Sequence, residues 1–162
     1  MTDTAPSETY YRACCGTWRS PISIEIDDPL ALARSGMSWG DRWSLRLLAA
    51  WPALFGRLYL DTSVAFRAAH EVVHTTTVRW LGLPLQHSEE VFTLSPDGTT
   101  LTVRGGMTGE GRIDADAVHG TYHLRWLGAE IQQRTTREVD RVTVEQRGPG
   151  FRGVQVLQRT SP

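Results

Sequence analysis

Glu71-Val72-Val73-His74-Thr75-Thr76-Thr77-Val78-Arg79-Trp80-Leu81-Gly82 decides the fold. Its run of β-branched residues suits a pleated strand better than a helix, and Leu81-Gly82 offers a turn at its end. The pattern returns at His123-Leu124-Arg125-Trp126-Leu127-Gly128, which matches Thr77–Gly82 as strand, tryptophan, then glycine turn. One hairpin form is used twice. Between and beyond these copies, Ser95-Pro96-Asp97-Gly98, Gly105-Gly106-Met107-Thr108-Gly109, Gly120 and Gly148-Pro149-Gly150 punctuate β-rich segments. Strands are predicted near 72–80, 84–94, 99–105, 112–118, 121–127, 129–138, 141–147 and 151–159. Short strands at this spacing without intervening helices predict an antiparallel meander from Glu71 to Arg159 in an all-β sandwich or barrel.

Upstream, Trp18, Ile22, Ile24 and Ile26 alternate with Arg19, Ser23, Glu25 and Asp27, the period of a half-buried strand that could close the meander. Pro21 cannot donate to a ladder, so it belongs at an edge or bulge. Two helices follow in an insert at about 28–56. Asp28 can cap the first, Pro29 suits its first turn, and Gly36 can end it. The second is expected from Asp41, with Trp43, Leu47, Trp51 and Leu54 at helical spacing and Pro52 as its stop. Over a barrel mouth this pair would form a lid. Residues 58–70 read both ways, because Thr62 or Ser63 could cap a helix while Val64-Ala65-Phe66 suits a strand. Residues 1–10 read as a flexible tail, leaving 11–162 as one barrel domain.

The 162 residues suffice for one domain with a real core, at 40% hydrophobic and 22% charged. A net charge of −1 with no basic stripe gives nucleic acid no electrostatic purchase. No apolar run is long enough to insert into a bilayer, and the polar start Met1–Ser7 is unlike a signal peptide. A cytoplasmic protein of open oligomeric state is expected. The adjacent Cys14 and Cys15 cannot readily close an unstrained disulfide and read as reduced, packed thiols.

Aligning the hairpin copies sets Val78 and Trp80 beside Leu124 and Trp126, with the arginines facing out. The same parity puts His74, Thr76 and Tyr122 inside, then Leu85, His87 and Glu89 opposite Ile131, Gln133 and Thr135, with Arg137 beyond. Phe92 and Leu94 dispute that parity at the far end of their strand, where a bulge would reverse it. An interior carrying His74, His87, Glu89, Gln133 and Arg137 must pair its charges or line a wet cavity. In such a cavity His74 or His87 beside Glu89 would form a proton-transfer pair, and Arg137 could hold a carboxylate or enolate-like oxygen.

His70-Glu71-Val72-Val73-His74 matches the helical zinc motif, in which two histidines share a face and the glutamate activates water. The threonines that follow favour a strand, which turns Glu71 away from His70 and His74. The glycine run at 105–111 lacks the Lys-Ser/Thr of a phosphate loop and does not open a helix. No Gly-x-Ser-x-Gly or Cys-x-x-Cys is present, and no cofactor or metal is implied.

Gly16-Thr17-Trp18 at the first strand and Arg159 on the last resemble the calycin pattern of lipocalins and fatty-acid-binding proteins. There a Gly-x-Trp packs against an arginine of the last strand and closes the barrel's end. Helices directly after the first strand are similar to the fatty-acid-binding arrangement. The resemblance departs where those proteins carry Arg-x-Tyr, since Gln155 and Leu157 stand here, and where nitrobindins carry a glycine-rich haem signature after the tryptophan.

Together these readings imply a calycin-like β-barrel that binds a hydrophobic or amphipathic small molecule. Trp80, Tyr122 and Trp126 would form the apolar wall, and His74, His87, Gln133 and Arg137 the polar anchors. The alternative is a cofactor-independent isomerase or cyclase acting on a polyketide- or lipid-like substrate through His74, His87 and Glu89. A lesser one is a zinc hydrolase built on His70 and His74.

Overall fold

The computed structural model describes residues 6–51, 58–114, 116–125 and 127–161. Strands β1 (Gly16–Pro21), β2 (Ser23–Glu25), β3 (Leu58–Ala68), β4 (Glu71–Trp80), β5 (Leu83–Leu94), β6 (Thr100–Gly105), β7 (Met107–Ile113), β8 (Ala117–Leu124), β9 (Ala129–Arg137), β10 (Arg141–Gly148) and β11 (Phe151–Ser161) form one antiparallel sheet. β1 pairs with both β3 and β11 and so shuts the sheet on itself. β2 continues along β11, pairing Ser23 with Val154. With β1 and β2 as two halves of one bent strand, the molecule is a closed ten-stranded barrel. The break falls next to Pro21, whose missing N–H ends the first half of the ladder.

The ambiguous 58–70 segment is a strand over Leu58–Ala68. Its partner β4 runs straight through the His70–His74 motif, so the helical zinc arrangement does not exist here. His70 sits exposed in the β3–β4 turn, and no group of three metal-ligating side chains occurs among the described residues.

Among the described residues, three helices sit at the barrel ends. Helix α1 (Pro6–Cys14) occupies much of the stretch expected as a tail, and it buries Tyr10, Tyr11 and Cys14 under the end where β1 begins. Loss of two aromatic rings to water opposes fraying of so short a helix, at about 25 cal/mol for each Å² kept dry. Helices α2 (Pro29–Arg34) and α3 (Trp39–Ala50) cover the opposite end. Asp28 caps α2 through Oδ1, which accepts from the N–H groups of Leu30 and Ala31 at 2.9 Å. Ser38 caps α3 earlier than Asp41, the residue expected to start it, and Leu54 and Pro52 lie outside the described residues. Gly150 (φ 78°), in the β10–β11 turn, seats α2, because a β-carbon there would meet the Asp28 carbonyl and Leu32 N–H.

The end beneath α1 is locked as the Gly-x-Trp resemblance implies. The Arg159 guanidinium lies 4.4 Å from the Trp18 ring centroid and donates to the carbonyls of Ala13 (2.7 Å) and Cys15 (3.1 Å). Trp18 Nε1 donates to the Cys14 carbonyl at 2.7 Å, so one Trp–Arg stack ties first strand, last strand and α1 together. On the outside, Asp61 of β3 accepts from Arg19 of β1 at 2.7 Å and from Arg79 of β4 at 2.9 Å. No helix among the described residues is long and apolar enough to cross a membrane.

Candidate functional site

Between α1 and the α2–α3 pair the barrel interior holds a cavity of about 330 Å³. Its α1 end is aromatic and aliphatic, with Tyr11, Trp18, Phe92 and Leu157, and its α3 end is closed by Leu45 and Leu48. Polar side chains occupy the middle of the wall. Thr62 and Thr76 face each other at 3.4 Å, and Gln146 Nε2 donates to Gln133 Oε1 at 2.9 Å. A larger depression of about 830 Å³ lies over β6–β11, edged by Arg112, His119, Arg134 and Glu145. It is an open, charged outer surface with no apolar enclosure, and we assign it no role.

Of the residues singled out from sequence, His74, Tyr122 and Gln133 stand on the cavity wall. Tyr122 is 1% exposed and lies against Gly111 and Gly120, where a β-carbon would strike its ring or hydroxyl. Burial pushes its phenol up to about 12. His74 stacks on Phe92 at a centroid distance of 4.1 Å and meets the Tyr11 ring edge-on at 5.9 Å. Desolvation alone lowers its pKa to about 4, so the imidazole is neutral at pH 7.

His87 and Glu89 point outward, contrary to the hairpin alignment. The cause is a bulge in β5. Val78 pairs with Gln86 but Arg79 with Pro84, which leaves Leu85 as the extra residue and reverses every side chain after it. His87 instead meets Thr77 Oγ1 at 3.1 Å on the exterior. The bulge brings Gln86, Ser88 and Glu90 into the cavity in their place. Counting back in twos from Phe92, a core residue, would have found all three.

Trp80 is half-buried near the β4–β5 turn and off the cavity wall, while Trp126 lies outside the described residues. Arg137 ends β9 near α1, beside Tyr10 and Cys14, whose protons its charge loosens. Burial outweighs that influence and raises Cys14 to about 11, so this thiol is protonated and unreactive at neutral pH. The α3 helix is rotated from expectation. Its aliphatic face (Leu45, Leu48) looks into the barrel, whereas Trp43 stacks on Trp39 outside at 6.2 Å.

Three buried polar atoms lack hydrogen-bond partners among the described residues: Tyr10 Oη, His74 Nε2 and Arg137 Nε. An orphaned polar atom in a dry interior costs about 1–3 kcal/mol, and water or a bound molecule is its usual remedy. Glu90 is the one carboxylate on the described wall. It faces His74 across the β4–β5 ladder. Burial raises its pKa above the usual carboxylate value.

No protein-family model matches this chain, and no curated protein is recognisably similar in sequence. Solved structures are similar in fold. Fatty-acid-binding protein 1 of Echinococcus granulosus aligns with a TM-score of 0.54 at 10% identity, over 93% of this chain and 99% of its own. Human cRBP IV gives 0.53 at 15%, over 90% and 97%. Rv2717c from M. tuberculosis gives 0.57 at 13%, over 98% and 100%. The fold is therefore a calycin-type barrel, and at these identities the likeness establishes the fold alone.

Proposed function

We propose that this chain binds a hydrophobic or amphipathic small molecule inside the barrel. The observation that carries the reading is the interior cavity of about 330 Å³, within the range of small-molecule sites, with a buried, unpartnered His74 Nε2 on its wall. Tyr122, Phe92, Leu124 and Val144 would contact the apolar part of the ligand. His74, Gln133 and Glu90 would meet its polar part. Arg137 would act from behind Tyr10 rather than by contact, and Trp80 would shape the rim. A fatty-acid-binding protein among the similar structures supports the same habit for this fold.

The cofactor-independent isomerase or cyclase is the second reading, favoured by His74 and Glu90 standing opposite each other. Against it, no hydrogen bond joins them, and Glu90 has no part in the lowered pKa of His74. A proton-transfer pair needs that contact.

Native mass spectrometry of freshly purified protein tests the proposal. The expected result is an organic adduct that vanishes on denaturation and is absent from Val144→Trp, in which the new ring fills the cavity. A bare chain that stays bare after incubation with long-chain alcohols, amines and acids would overturn it.

A further inference from the structure

We propose that the buried polar end of the ligand is a hydrogen-bond donor, foremost a protonated amine, and that carboxylates are disfavoured. This inference rests on the small-molecule reading above and narrows its ligand class. The charges around the cavity carry it. Among the described lining residues there is one carboxylate, Glu90, and no arginine or lysine. The arginines near the α1 end are otherwise placed: Arg12 pairs with Glu8 and lies over the Phe66 ring. Arg159 is spent on the Trp18 ring and the carbonyls of Ala13 and Cys15, and Arg137 stands behind Tyr10 and Cys14, off the wall.

The second observation is the arrangement of acceptors. His74 and Glu90 are direct cross-strand partners, so their side chains leave the same patch of wall. A neutral imidazole has one acceptor nitrogen, and a carboxylate only accepts. Glu90 Oε1 occupies the space over Gly106 that a β-carbon there would take. An ammonium group has up to three donors and no acceptor, and it complements this patch both in charge and in hydrogen-bond direction. A fatty-acid carboxylate would bring a second anion beside Glu90 into a low-dielectric interior, with no arginine or lysine among the described lining residues to compensate either one. A hydroxyl ranks between them, since it can donate to Glu90 without a charge. The neutral side chains Thr62, Thr76, Gln86 and Ser88 line the same region and impose no sign of their own.

The test is displacement of Nile red, an uncharged dye, by dodecylamine, dodecanol and dodecanoate at pH 7 and below their micellar concentrations. The amine is expected to displace the dye at roughly tenfold lower concentration than the carboxylate, with the alcohol between, as for one charge-assisted hydrogen bond gained against one like-charge contact. In Glu90→Gln the amine loses its advantage over the alcohol, a ratio read within a single variant. Glu89→Gln, which alters the exposed neighbour, keeps the wild-type order. Dodecanoate displacing as well as dodecanol, or an amine advantage that survives in Glu90→Gln, would overturn the inference and leave small-molecule binding standing. A wild type that binds neither the dye nor any of the three compounds would sink both.

Discussion

His74 makes a quantitative prediction about acid stability. In the folded chain the ring stays neutral down to about pH 4, because burial against Phe92 and Tyr11 removes the water that would solvate its charge. In the unfolded chain it takes up a proton near the ordinary value of 6.5. Above pH 6.5 both states are neutral and the group contributes nothing to pH dependence. As pH falls from 6.5 toward 4 the unfolded state binds more protons, so unfolding becomes easier. Below 4 both states are charged and the loss is complete. At about 1.4 kcal/mol per pH unit the full window costs about 3 kcal/mol, and most of that is already lost at pH 4.5. The perturbation is His74→Leu, which removes the titration at similar volume. Urea unfolding, followed by tryptophan fluorescence at pH 7 and pH 4.5, gives the assay. Wild type should lose about 2–3 kcal/mol more than the variant between the two pH values. Glu90 works in the opposite sense, since its raised pKa lets the folded state gain on acidification, but it is common to both proteins and cancels. Equal losses in the two proteins would refute the burial argument for His74.

Three further outcomes follow from backbone and closure. Leu81 holds a positive φ of 52° in the β4–β5 turn and is 52% exposed, so Leu81→Asn should stabilise by about 1 kcal/mol, read as a rise in Tm. Gly150→Ala should cost about 1–2 kcal/mol through its positive φ and also lift α2 off its seat, so amide exchange should speed up across 29–50 more than in the barrel strands. Arg159→Met keeps the stem but loses the stack on Trp18 and two hydrogen bonds to carbonyls near α1. A loss of about 2–4 kcal/mol in urea unfolding is expected, and an unchanged midpoint would contradict the locking role.

Most of the barrel could be read from sequence because its signals are local. Alternation in β4 and the glycines at 82, 128 and 150 placed most strands and turns within a residue or two. The strands expected at 112–118 and 121–127 are in fact β7 (Met107–Ile113) and β8 (Ala117–Leu124), because Gly109, Gly111 and Gly120 pair within the ladder instead of ending it. The Trp18–Arg159 lock was legible as well, because a short motif at each end of the chain has one geometric use. The candidate site was legible only in part. His74, Tyr122 and Gln133 came from strands that keep their parity. His87 and Glu89 were exchanged for Gln86, Ser88 and Glu90 by a single unpaired residue, Leu85, whose insertion leaves the local pattern almost unchanged. Such a slip moves a whole strand's chemistry from one face to the other. Helix α1 was hidden for another reason: Tyr10 and Tyr11 are helical because of what they pack against, not because of their neighbours in sequence. The same tertiary control turned Leu45 and Leu48 of α3 inward, leaving Trp39 and Trp43 outside.

The central claim is that the barrel interior is the binding site, and a matched pair of tryptophan substitutions tests it most directly. Val144→Trp puts an indole into the cavity from β10, and Gln132→Trp puts the same ring on the exposed outer face of β9. Nile red titrations should show blue-shifted binding at one dye per chain for wild type and Gln132→Trp, and none for Val144→Trp. Binding that persists in Val144→Trp, or that is lost in Gln132→Trp instead, would place the ligand outside the barrel and contradict the account.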